Sequence, residues 1–156
     1  MRLTRAGEYA VRIILYLSQE GVGVVSNRRQ IAARMDIPDQ FLSKIAQQLA
    51  RSGFIEIVQG AKGGLRLLVS PERLTLLDVV EAVVGEIFLN DCLMRPESCS
   101  RSNACAVHVV WEKARYQLRE TLREATFAKL LREDHCANPF LKNETEKKQG
   151  LGVFVE

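Results

Sequence analysis

The sequence predicts a mainly α-helical fold with a small β-hairpin wing: a winged helix-turn-helix followed by a long helix suited to dimerisation. Three observations carry this. Apolar residues recur at helical spacing in three segments before Gly53, the period falls from 3.6 to 2 directly after it, and a long amphipathic stripe resumes near Ala106.

From Thr4, a suitable N-cap, the residues Ala6, Tyr9, Ala10, Ile13, Ile14 and Leu17 make one helical stripe, which Gly21-Val22-Gly23 breaks. Ser26 is placed to cap a second, short helix whose inward face is Ile31, Ala32 and Met35. Asp36-Ile37-Pro38 is a tight connection, and Pro38 suits the opening of a helix because its missing N–H would have no intrahelical partner there. The third helix is expected over about 39–52, burying Phe41, Leu42, Ile45, Ala46 and Leu49 and stopping at Gly53. Its other face, Gln40, Ser43, Lys44, Gln47, Gln48 and Arg51, is polar, and the helix is nearly free of carboxylates. Such a face suits base edges and phosphates, and equally an ordinary solvated surface.

Residues 54–58 and 65–69 read as strands, joined by the Gly-rich turn Gln59-Gly-Ala-Lys-Gly-Gly64. The turn is not a phosphate-binding P-loop, because it lacks the Gly-Lys-Ser/Thr ending and joins strand to strand. Gln59 and Lys62 at its tip can instead reach a phosphate or a minor groove. Thr75 and Asp78 form a capping box that opens a helix through Val79, Val80, Ala82 and Val83 to Gly85. Residues 86–104 then lose periodicity. From about Ala106 a helix of roughly twenty residues carries Val107, Val110, Trp111, Ala114, Leu118, Leu122 and Ala125 on one stripe, and Thr126 caps a last short helix through Leu131. The long stripe needs cover, either from the same helix of a second subunit in a two-fold dimer or from the first helix of its own chain.

With 156 residues, 47% hydrophobic and 26% charged, the chain lies in the ordinary globular range. No apolar run approaches the roughly 18 residues of a membrane span, and no apolar leader follows the first residues, so a cytoplasmic protein without membrane partners is expected. The net charge of +3 is unevenly spread. Residues 1–70 hold ten Lys/Arg against five Asp/Glu, whereas residues 71–136 hold nine against eleven. The basic excess of the first half fits an anionic partner, most often nucleic acid.

Cys92, Cys99, Cys105 and His108 form a C-x6-C-x5-C-x2-H arrangement, with Cys136 apart. In a reducing compartment, three clustered thiols read as a metal or redox site before a disulfide framework. Cys105 and His108, three apart at a helix start, point from the same side. Zinc remains a competitor, since Cys3His is a common tetrahedral set, but zinc cysteines usually pair at two-to-four spacing. Gaps of six and five suit the wider reach of an iron-sulfur cluster, and unmetallated thiols are the third possibility. Cys136 reads as a plain thiol, and Glu8 as a solvated carboxylate. No Ser-His-Asp, His-Glu-x-x-His or Gly-x-Ser-x-Gly pattern supports catalysis, so an enzyme is not expected.

Four segments together resemble the IscR/NsrR-type bacterial regulators: the opening Met1-Arg-Leu-Thr-Arg-Ala-Gly-Glu-Tyr-Ala10, the run Ile37-Pro-Asp-Gln-Phe-Leu-Ser-Lys44, the wing Gly60-Ala-Lys-Gly-Gly-Leu-Arg-Leu67, and the three-cysteine loop followed by His108 and Trp111. The resemblance spans about residues 1–136. It implies a homodimeric winged-helix transcription factor on double-stranded promoter DNA, many members carrying an iron-sulfur cluster that reports cluster supply, iron, nitric oxide or redox state. By the same resemblance Cys92, Cys99 and Cys105 match the cluster cysteines, and His108 matches the fourth ligand of the [2Fe-2S] branch, which is favoured over [4Fe-4S]. Glu8 sits where the nitric-oxide-sensing branch supplies a carboxylate from the other subunit. Asp39, Gln40, Ser43 and Lys44 fall at major-groove positions, Gln59 and Lys62 at the wing, and Arg28 completes the DNA-binding set. The first cysteine gap is one longer than the common pattern, and Gln59 replaces a frequent arginine. The expected division is a DNA-binding unit at 1–85, a cluster loop at 86–105, a dimerisation helix with its closing helix at 106–136, and a polar tail at 137–156. A zinc-bearing or thiol/disulfide-switched regulator is the alternative, and an iron-sulfur electron carrier a more distant one.

Overall fold

A computed structural model describes residues 4–101 and 104–132. The elements run α1 (Arg5–Glu20), α2 (Arg28–Met35), α3 (Asp39–Arg51), β1 (Ile55–Val58), β2 (Gly64–Leu67), α4 (Leu76–Val84), two short 3-10 turns at Asp91–Leu93 and Pro96–Ser98, α5 (Ala106–Glu124) and α6 (Phe127–Arg132). Among the described residues, mostly helical structure with one antiparallel hairpin is the expected winged-helix architecture. Cys136 and the tail from 137 lie outside the described residues.

Capping chemistry sets most helix starts. The Thr4 hydroxyl accepts from Gly7 N at 3.2 Å, and α1 ends at Gly21, whose φ of 105° only glycine adopts cheaply. Thr75 and Asp78 make both bonds of the capping box on α4. The Thr126 hydroxyl accepts from Lys129 N at 3.3 Å in front of α6.

The second helix is capped differently from expectation. Asn27, not Ser26, accepts from Arg29 N at 2.9 Å. Ser26 is drawn into the sheet instead, exchanging backbone bonds with Leu65 at 2.8 and 2.9 Å, and is buried. Pro38 is the N-cap of α3 and not its first helical residue, and α3 ends at Arg51, one residue early. The strands are shorter than the apolar runs that signal them, pairing Ile55 with Leu67 through Val58 with Gly64.

One core joins α1, α3, α4, the hairpin and α6. Ile13, Ile14, Leu17, Leu42, Ile45, Leu49, Leu65, Leu67 and Phe127 are all essentially inaccessible. Each such side chain contributes at most about 1.5–3 kcal/mol over an exposed one. Phe41 departs from expectation: it is 43% exposed and leans on Tyr9 with ring centroids 5.9 Å apart. Leu42, Ile45, Ala46 and Leu49 already complete the inward stripe, which leaves Phe41 at its edge.

The long helix α5 contains no fully buried residue. Its Leu118 and Leu122 pack on Leu77, Val80 and Ile87, but Val107, Val109, Val110 and Tyr116 are more than half exposed.

Candidate nucleic-acid interface and cysteine loop

The polar face of α3 follows from the packing of its opposite side. Burial of Leu42, Ile45, Ala46 and Leu49 turns Gln40, Lys44, Gln47 and Arg51 outward, with Ser43 half-buried between them. A groove opens beside this face, lined by Asn27, Arg28 and Arg29 from the start of α2, Asp39 and Ser43 from α3, and Gln59, Gly60 and Ala61 from the wing turn. Arg28, Asp39, Ser43 and Gln59 are thus brought together. Gln40, Lys44 and Lys62 stand exposed outside that lining. Arg28 Nη2 donates to Ser43 Oγ, which holds the guanidinium across the groove.

Arg29 and Asn27 belong to this groove and were missed by sequence reasoning. The signal was present: two arginines directly after a capping asparagine put positive charge at a helix N-terminus whose own dipole is positive and whose first turn holds no acid. The wing turn approaches closely because glycine permits it. A Cβ on Gly64 would lie 2.0 Å from Ser26 O, and one on Gly63 2.3 Å from Val58 O.

The cysteine loop is built differently. It lacks a helical stripe and is held by the two short turns, with Leu93 N bonded to Asn90 O and Ser98 N to Arg95 O. Cys92 and Cys105 are half-buried thiols and Cys99 an exposed one. Cys105 is the N-cap of α5, and its carbonyl accepts from His108 N at 3.0 Å, fixing these two residues on one helical turn. Among the described residues no three His, Cys, Asp or Glu side chains stand close enough to share one metal ion. The donor set nevertheless fits a soft-metal cofactor in kind: three thiols lie within fourteen residues, and His108 Nδ1 is buried without a hydrogen-bond partner. Gathering them requires the loop to close. Asn90, its carboxamide oxygen turned toward the indole, accepts from Trp111 Nε1 at 2.9 Å and ties the loop to α5.

Comparison with known proteins identifies the architecture. Residues 3–133 match the family model Rrf2, described as an iron-dependent transcriptional regulator. The chain is 32% identical to Protein aau3 of Rhizobium meliloti over 133 residues, covering 85% of this chain and 86% of that one. It is 27% identical to the HTH-type transcriptional regulator NsrR of Bacillus subtilis over 143 residues, covering 91% and 98%. Among solved structures, T. potens IscR superposes with a TM-score of 0.67 at 22% identity, covering 86% of this chain and 89% of that one.

Proposed function

The chain belongs to the Rrf2 family of transcriptional regulators, and we propose that it is a cytoplasmic, homodimeric DNA-binding regulator whose promoter affinity follows an iron-sulfur cluster held by its cysteine loop. The observation that carries the cluster reading is the C-x6-C-x5-C-x2-H donor set on a loop next to a helix with an uncovered apolar face. The iron dependence in the family's description supports it.

In this reading residues 1–85 carry the reading head, 86–105 the cluster loop and 106–136 the dimer helix. Arg28, Asp39, Gln40, Ser43 and Lys44 meet the major groove and its phosphates, while Gln59 and Lys62 reach the flanking backbone or minor groove. The exposed Val107, Val109 and Val110 of α5 pack on the same helix of a second copy. Such a two-fold pair sets two recognition helices on successive major grooves of a palindromic site.

Cys92, Cys99 and Cys105 would hold the cluster with His108 as fourth ligand, as in a [2Fe-2S] site. When bound, the cluster supplies iron that changes oxidation state, or is lost, in response to redox conditions or nitric oxide. Cys92, Cys99 and Cys105 held on one centre would constrain the loop between them, and Cys105, the N-cap of α5, would pass that constraint to the helix start. Differential DNA affinity between the two loop states must supply the switch, and a coupling of about 1–3 kcal/mol corresponds to roughly 5- to 150-fold.

Purification without oxygen tests the assignment. The wild type should absorb in the visible range and contain iron and sulfide, and Cys99→Ala should lose both while remaining a folded dimer. One zinc per colourless chain would turn the reading to the zinc alternative, and thiols that merely form disulfides would favour a thiol switch.

A further inference from the structure

Four charged side chains bind the start of the cysteine loop to both α4 and α5. Arg119 Nη1 pairs with Glu81 and reaches Glu86 Oε1 at 3.3 Å, and Arg115 Nη2 pairs with Glu86. The backbone of Ile87 is held on both sides: its N–H donates to Glu81 Oε1 at 2.9 Å, and its carbonyl accepts from Arg115 Nε at 3.0 Å. Its side chain is 8% exposed and packs with Leu77, Val80, Leu118 and Leu122.

The placement of these residues gives the network its meaning. Glu86 and Ile87 are the first residues of the loop that bears Cys92 and Cys99, whereas Arg115 and Arg119 lie on the helix whose N-cap is Cys105. The cluster therefore ties the start of the loop to the middle of the helix that follows its other end. Its third leg, Glu81, sits on α4, which packs directly on α1 and on the recognition helix α3. The side chains of Arg115, Arg119 and Glu81 are only 19–21% exposed, so solvent screens these pairs less than surface ones. A cluster that fixes both polar atoms of one buried residue has few alternative arrangements, and packed contacts of this kind switch between discrete states instead of deforming continuously. Toward its N-terminus, by contrast, α5 exposes Val107, Val109 and Val110 and makes its contact with the loop through Trp111 and Asn90.

We infer that Glu81, Glu86, Arg115 and Arg119 form a clamp that transmits rearrangement of the cysteine loop through α4 to α3. The four are positioning residues: none belongs to the DNA-facing set or to the proposed ligands. The inference rests on the loop-sensing reading above.

The test uses the full-length dimer, iron-loaded and iron-free, and a labelled duplex selected from a random library for binding to the wild-type protein. The ratio of affinities between the two forms is measured for the wild type, Glu86→Gln, Arg119→Gln and the charge exchange Glu81→Arg with Arg119→Glu. In wild type the ratio should lie between about 5- and 150-fold. In both single variants it should fall below about twofold, with iron content, visible spectrum and dimer size unchanged, and the exchange should recover part of it. If Arg119→Gln fails to fold, the milder Glu86→Gln decides. A ratio that survives intact in the folded single variants overturns the clamp while leaving the sensor reading in place. A wild type without any loaded-to-free difference overturns the sensor reading, and the clamp with it.

Discussion

Arg28 Nη2 donates to Ser43 Oγ, joining the N-terminus of α2 to the outward face of α3. The bond uses a hydroxyl that faces the groove to aim a guanidinium, and so couples a charge proposed to reach phosphate to the helix proposed to read bases. Ser43→Ala should therefore weaken operator binding by about 1–3 kcal/mol, roughly 5- to 150-fold, with the melting temperature nearly unchanged because both groups are solvent-accessible. Titration of the selected duplex checks it, and an unaltered affinity would remove Ser43 from the interface.

The wing depends on two glycines for different reasons. Gly64 has no room for a side chain, since a Cβ would meet Ser26 O at 2.0 Å, while Gly60 has open space around it but a φ of 100°. Gly64→Ala should cost about 3 kcal/mol, or about 6–12 °C in melting temperature, and Gly60→Ala only about 1 kcal/mol. Thermal denaturation separates them, and equal losses would contradict the close approach of the hairpin to residues 26–27.

Helix α4 packs on both α3 and α5, and its start is fixed by reciprocal bonds. Asp78 N donates to Thr75 Oγ1 at 3.2 Å and Thr75 N to Asp78 Oδ2 at 3.0 Å. Thr75→Ala should lower stability by about 0.5–2 kcal/mol. Chemical denaturation at constant slope reports this, and Thr75→Ser should retain most of the stability.

Local chemistry made the fold legible. Thr4, Thr75 and Thr126 were readable as caps, Gly21 and Gly53 as stops, and the change of period after Gly53 as a hairpin, because each acts within one turn of chain. Ser26 was misread as a cap because its pairing with Leu65 is set by residues far along the chain, and Asn27 does that work one position later. Phe41 shows the same limit: helical spacing places it on the stripe, but the width of the stripe that the core accepts is a tertiary property. At the candidate site, the polar face of α3 and the cysteine spacing were visible, whereas the groove's Arg29 and the clamp joining Glu81 and Glu86 to Arg115 and Arg119 depend on how separate elements meet.

Trp111 is the one tryptophan of the chain and bonds Asn90, two residues before Cys92. Its emission should therefore change when iron loads the loop, and Asn90→Ala should shift the emission of the iron-free protein by removing the partner of the indole N–H. Fluorescence during anaerobic reconstitution follows both. Emission indifferent to iron would place the metal away from the Cys92 end of the loop.

In the proposed regulator, a cofactor on Cys92, Cys99 and Cys105 changes how the paired α3 helices hold promoter DNA. Anaerobic titration of one duplex with the reconstituted and the iron-free dimer measures this directly at a single salt concentration. The two dissociation constants should differ by at least about fivefold, and the difference should vanish in Cys99→Ala. Identical constants for an iron-loaded and an iron-free wild type would contradict it.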